Sequence, residues 1–103
     1  MATIKEITVQ ELNDWKESGK DFQLIDVREQ HEFDEVNMEG KLIPLGTVLD
    51  NADQFSKDKP VVVHCRSGKR SANAINALQQ QHGFDNLYNL EGGILAWIDV
   101  YGV

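Results

Sequence analysis

Val61-Val62-Val63-His64-Cys65-Arg66-Ser67-Gly68-Lys69-Arg70-Ser71-Ala72 is the stretch on which the fold turns. Its three β-branched apolar residues in a row read as a strand buried on both faces. From Ala72 onward, Ala72, Ile75, Leu78 and His82 recur at helical spacing, with Ala74 and Ala77 beside them. The segment between holds the only cysteine of the chain, a glycine and three cationic side chains. A strand, a tight loop and a helix N-terminus turn a row of backbone N–H groups toward one point. Cys65 stands at the mouth of that ring.

Outward from this stretch, strands and helices alternate. Ile4 to Ile7 is a short strand candidate. Thr8-Val9-Gln10-Glu11 is a capping box, and the helix it opens carries Val9, Leu12 and Trp15 on one side and stops at Ser18-Gly19. Phe22 to Val27 reads as the second strand, and Arg28 to Val36 as a weaker helix with an acidic outer face. Leu42-Ile43-Pro44-Leu45 is extended, with Pro44 suited to an edge strand. Val48 to Phe55 is a poor helix, interrupted near Asp50-Asn51. After the long helix, Gly83 fits a C-terminal cap. Leu87 to Leu90 is another strand, and Gly92-Gly93 turns the chain into a final helix carrying Ile94, Leu95, Trp97 and Ile98. The alternation predicts an α/β fold, a mainly parallel sheet covered by helices on both faces. In such sheets ligands bind at the C-terminal ends of the strands. Cys65 lies at such an end, and so does Asp26-Val27-Arg28.

Length and composition set the bounds. The 103 residues suit one domain, 1–103, and 41% hydrophobic with 26% charged content is ordinary for a globular protein. No apolar run approaches the length of a membrane span. The N-terminus shows no basic region followed by an apolar core, so no signal peptide is expected, although a chain shorn of its leader would look the same. A lone cysteine forms no internal disulfide, which fits a reducing cytoplasm. The formal net charge of −7 argues against nonspecific nucleic-acid binding. Arg66, Lys69 and Arg70 nevertheless fall within five consecutive positions and would offer a small anion local positive charge.

A thiolate is stabilised by inward N–H groups, a helix N-terminus and nearby cations, which lower a cysteine from about 8.5 toward the neutral range or below. Cys65 is therefore expected to be ionised at neutral pH. The competing reading, a small buried hydrophobe, does not account for Gly68 and three flanking cations. Which cation points inward stays open. His64 adjoins Cys65, but neighbours on a strand diverge, and it reads as a strand-end histidine. His31 and His82 have no partners at metal-ligand spacing, so no metal is expected. Asp26 could orient loop backbone groups; a structural ion pair with Arg28 is the favoured reading.

These pieces together resemble a single-domain rhodanese. The resemblance rests on Leu24-Ile25-Asp26-Val27-Arg28-Glu29, His31-Glu32-Phe33, the Val62–Ser71 segment, and Leu90-Glu91-Gly92-Gly93-Ile94-Leu95-Ala96-Trp97. It implies a five-stranded, mainly parallel sheet in three layers and sulfurtransferase chemistry. In that chemistry Cys65 takes sulfane sulfur from thiosulfate or polysulfide, becomes a persulfide, and passes the sulfur to cyanide or a thiol, which can belong to a protein. The loop residues Arg66, Ser67, Gly68, Lys69 and Arg70 would bind substrate, with Asp26, Arg28 and Ser71 in support. No metal or organic cofactor is implied. An alternative is a carrier module that delivers persulfide to a partner protein with little turnover of free thiosulfate. Four residues separate Cys65 from Arg70; the related phosphatases have five before their arginine, and Ser71 occupies that place here. That disfavours phosphatase and arsenate-reductase readings. Glu39-Gly40-Lys41-Leu42-Ile43-Pro44-Leu45-Gly46 departs from the family's Gly-His-Ile-Pro-Gly-Ala segment, which bears on the local rim.

Overall fold

The computed structural model describes residues 3–102. Five strands, β1 (Lys5–Ile7), β2 (Gln23–Asp26), β3 (Lys41–Leu42), β4 (Val61–His64) and β5 (Leu87–Leu90), form one sheet. The order is β1-β5-β4-β2-β3, and every neighbouring pair runs parallel. The helices are α1 (Val9–Ser18), α2 (Gln30–Glu35), α3 (Lys69–His82) and α4 (Gly93–Tyr101), with two 3-10 segments at Leu45–Thr47 and Leu49–Gln54.

The central strand β4 explains the layers. Val61, Val62 and Val63 are all completely buried. Each stabilises the fold by roughly 1.5–3 kcal/mol relative to an exposed side chain. Side chains alternate across a strand. Val61, Val63 and Cys65 therefore join Ala74, Ile75 and Leu78 of α3 in one core, closed by Val48 and Phe55. Val62 joins the second core on the opposite face, with Val9 and Leu12 of α1 and Ile94 of α4.

Local chemistry sets most element ends. Thr8 caps α1 through a complete capping box with Glu11, and Gly19 ends the helix at φ +73°. Gly83 ends α3 in the same left-handed conformation. Other boundaries differ from the expectation. The helix expected from Ala72 starts at Lys69, because Gly68 at φ +105° turns the chain a residue earlier. Its buried stripe is Ser71, Ala74, Ile75 and Leu78, so polar Ser71 holds an inward place while His82 is exposed. Helix α2 covers only Gln30–Glu35, since Arg28 turns back to Asp26 and Glu29 serves as the cap. Strand β3 stops at Leu42, and Pro44 leads into a 3-10 turn. The poor helix is a 3-10 segment broken at Asn51 (φ −114°, ψ 23°).

The topology creates the crevice. From β4 the chain crosses over α3 to β5 on one side; from β2 it passes α2 to β3 on the other. Connections diverge between β2 and β4, and a ligand crevice opens at such a switch point. Asp26 and His64 are in register there, one residue before Cys65.

Helix α4 fastens the loop after β4 from the side. The Ile94 N–H donates to the Cys65 carbonyl (2.9 Å), and the Leu95 N–H to the Arg66 carbonyl (3.1 Å). This approach needs a residue without a side chain at 93: a Cβ there would lie 2.6 Å from the Cys65 oxygen, and Gly93 sits at φ +61°. Gly93→Ala is expected to cost about 2 kcal/mol or more in a urea melt, from clash and backbone strain together. Gly46→Ala, with nothing within 4 Å of the added Cβ, serves as the control and should leave the melt almost unchanged.

Candidate active site

The loop between β4 and α3 folds around one sulfur atom. The Gly68 N–H donates to Cys65 Sγ at 3.1 Å and the Ser71 N–H at 3.4 Å; the Ser71 hydroxyl lies 3.5 Å away. Gly68 makes this turn possible, because its φ of +105° is open to glycine and rarely to other residues. The amides thus point inward. Cys65 is only 1% exposed, with its other side against the core shared by Val63, Ala74 and Ile75. Burial pushes the thiol up, whereas donors facing the sulfur, the N–H groups of Ser71, Gly68 and Ser67 among them, pull it down, and Cys65 ends below an ordinary thiol. The arrangement can hold a negative charge on sulfur at a site from which water is largely excluded.

The three cations separate. Arg70 forms a bidentate pair with Glu32 of α2, Nη1 to Oε1 at 2.7 Å and Nη2 to Oε2 at 2.9 Å. The Arg70 hydrogen bond holds the Glu32 carboxyl down at about 2, against the opposing effect of burial. The same bond raises Arg70 further above its already high value. Arg66 and Lys69 are exposed at the rim. A cleft of about 100 Å³ beside the loop is lined by Arg66, Arg28, Glu32, Val36, Leu95 and Ile98.

Asp26 and Arg28 do form a structural pair. The Arg28 Nη2 donates to Asp26 Oδ2 at 2.8 Å, its Nε reaches both carboxylate oxygens, and its own N–H donates to Oδ1 at 2.9 Å. Both residues are buried. Arg28 also donates to the Val36 carbonyl (2.8 Å) and the Glu32 carbonyl (3.4 Å). It thereby anchors α2, which carries the Glu32 carboxylate to Arg70.

His64 diverges from Cys65 as its place on the strand requires. It is completely buried, and neither ring nitrogen has a hydrogen-bond partner. Its Nε2 lies 3.8 Å from Asp26 Oδ2. Burial lowers its pKa, Asp26 opposes this and Arg28 adds to it, so the ring is neutral and makes no ion pair. Among the described residues no three His, Cys, Asp or Glu side chains are grouped to hold a metal ion. No helix among them is long and apolar enough to cross a membrane.

Two contributors escape sequence reasoning. Glu32 lies 38 residues from Arg70, and no local pattern links them. Asn89 is buried on β5; its Nδ2 donates to the Gly68 carbonyl at 3.1 Å and its Oδ1 accepts from the Ser71 hydroxyl. A signal did exist in this case, a polar residue at an inward position of Leu87-Tyr88-Asn89-Leu90.

The chain belongs to the rhodanese-like domain family, whose model matches residues 8–99. Over 95 residues it is 39% identical to the putative sulfurtransferase YtwF of Bacillus subtilis, covering 91% of this chain and 90% of that protein. It is 33% identical over 98 residues to the thiosulfate sulfurtransferase GlpE of Shewanella oneidensis, covering 94% and 95%. Identity is 37% over 94 residues to the probable adenylyltransferase/sulfurtransferase MoeZ of Mycobacterium tuberculosis. That match covers 88% of this chain but only 24% of the relative, so the chain spans about a quarter of that protein's length. Among solved structures, a rhodanese-like domain protein from Staphylococcus aureus superimposes with a TM-score of 0.82 at 36% identity, covering 91% of each chain.

The Arg70–Glu32 pair carries a pH signature. The folded carboxyl of Glu32 lies near 2, below its ordinary 4.5. Its contribution to stability is therefore complete above about pH 4.5 and is lost as pH falls through about 2. Glu32→Gln should lower stability at neutral pH by about 1 kcal/mol, discounted for the partial exposure of Arg70. Urea melts across this range should show the parent and variant converging at the acid end.

Proposed function

We propose that the protein is a sulfurtransferase in which Cys65 carries sulfane sulfur as a persulfide. The observation that carries this reading is the pair of N–H groups, from Gly68 and Ser71, aimed at Cys65 Sγ. Charge-stabilising donors fixed before reaction are the usual source of rate enhancement at such centres. The sulfurtransferase names of relatives covering nearly the whole chain support the class of reaction.

The Cys65 thiolate attacks the outer sulfur of thiosulfate. The sulfur–sulfur bond breaks, and sulfite leaves with the electron pair. The exposed Arg66 and Lys69 attract the dianion, while Arg70 lends its charge from within the pair with Glu32. The new persulfide carries its negative charge on the outer sulfur. Cyanide or a thiolate then attacks that sulfur, the bond to Sγ breaks, and the pair returns to Cys65. A thiol that is already ionised needs no general base. With one cysteine in the chain, an internal disulfide cannot discharge the persulfide; the acceptor is a second molecule. The reading takes residues 1–103 as one domain working in a reducing cytoplasm. Asp26, Arg28 and Ser71 position the loop rather than touch substrate.

Intact-protein mass spectrometry tests this directly. Incubation with thiosulfate should add one sulfur atom at Cys65, and cyanide should remove it as thiocyanate. Cys65→Ser should lose both steps, and turnover retained by that variant would overturn the assignment. Loading without steady-state turnover, with rapid delivery to a protein thiol, would identify a carrier module instead.

A further inference from the structure

The Ser71 hydroxyl has one proton and two candidate acceptors. On one side lies Cys65 Sγ, at 3.5 Å. On the other lies Asn89 Oδ1, well inside hydrogen-bond range and much closer. The orientation of the Asn89 amide is determined by its far end, where Nδ2 donates to the Gly68 carbonyl at 3.1 Å. Only the amino group can face a carbonyl oxygen, so Oδ1 must face Ser71. Carbonyl Oδ1 has no proton of its own. The proton between these two oxygens therefore comes from Ser71, and it cannot serve the sulfur at the same time.

We propose that Asn89 is a positioning residue for the sulfur chemistry: it captures the Ser71 hydroxyl proton and keeps it off Cys65 Sγ, so that main-chain N–H groups alone hold the sulfur's charge. This rests on the reading of Cys65 as the nucleophile. The benefit is reactivity. A thiolate loses intrinsic nucleophilicity as its pKa falls, and the best attacking thiol has a pKa near ambient pH. A third donor would make the sulfur easier to ionise and slower to attack. Asn89 is suited to this task because it is 5% exposed and neutral. Of the charged groups on the loop, Arg70 interacts with Cys65 and has Glu32 behind it, while Arg66 and Lys69 are exposed. His64 faces away from it, and β5 and α4 bring Asn89, Gly93 and Ile94 to the loop. None of these is altered in the test except Asn89.

The test is the pH dependence of iodoacetamide alkylation of the single thiol, with a thermal melt for each variant. Asn89→Leu keeps the volume but removes the acceptor, and the Gly68 carbonyl keeps its bond from the Ala72 N–H (3.1 Å). The freed hydroxyl should turn to the sulfur and lower the alkylation midpoint by about one pH unit. The plateau rate at high pH should fall about threefold, following the weaker nucleophile. Both changes should disappear in Asn89→Leu/Ser71→Ala, and Ser71→Ala alone should leave the parent midpoint in place. A merely structural role predicts the opposite sign, since a loosened loop loses its N–H donors and the midpoint rises. An unchanged or raised midpoint in a folded Asn89→Leu, or a fall that persists without Ser71, overturns the proposal. Should Asn89→Leu fail to fold, Ser71→Ala decides: an unmoved midpoint supports the proposal and a rise of about one unit overturns it. None of these measurements uses a sulfur donor, so failure of the parent to take sulfur from thiosulfate would sink the transferase reading separately.

Discussion

A sulfur with almost no contact with water, ringed by hydrogen-bond donors, is the constraint around which this molecule is arranged. Burial alone would keep Cys65 protonated. The N–H groups of Gly68 and Ser71 oppose that effect, and the thiol ends below its ordinary value; they can do so only if the chain between them is held in one shape. The left-handed Gly68 lets the loop close over the sulfur and start α3 without a break. The helix then places its first amides where they are needed, a standard use of unsatisfied N-terminal donors.

Holding that shape draws on every neighbouring element. Helix α4 grips the carbonyls of Cys65 and Arg66, and β5 supplies Asn89 to the Gly68 carbonyl and the Ser71 hydroxyl. From the opposite side, Asp26 orients Arg28, Arg28 anchors α2, and Glu32 of α2 steadies Arg70. Positive charge at the rim is thus divided between a pinned guanidinium and two exposed side chains. The division is one of fixed against exposed charge: Glu32 holds the Arg70 guanidinium in place, whereas the Arg66 and Lys69 side chains stand in solvent.

Much of this was legible in the residues. The unbroken Val61–Val63 run marked a strand covered on both faces, and its burial is complete. The Thr8–Glu11 box and the glycines at 19 and 83 marked helix ends because their chemistry is local. The Asp26–Arg28 pair was readable for the same reason. The start of α3 was not, because apolar spacing begins at Ala72 while the helix is opened by a backbone angle at Gly68. The inward place of Ser71 was hidden by its polarity. The Arg70–Glu32 pair joins residues far apart in sequence, which only the packing of α2 beside α3 brings together. His64 read as an ordinary strand-end histidine, yet its ring is sealed beside a buried ion pair without a hydrogen bond of its own.

The dimensions of the sheet have a further consequence. Its two outer strands contain three residues and two residues, and the shorter is followed closely by Pro44. Such stubs offer a neighbouring molecule little exposed ladder on which to add a strand. The run most prone to intermolecular stacking, Val61-Val62-Val63, is shielded between β5 and β2. Association of native molecules by adding strand to strand is therefore disfavoured, and that route opens only in chains in which the centre of the sheet has already come apart.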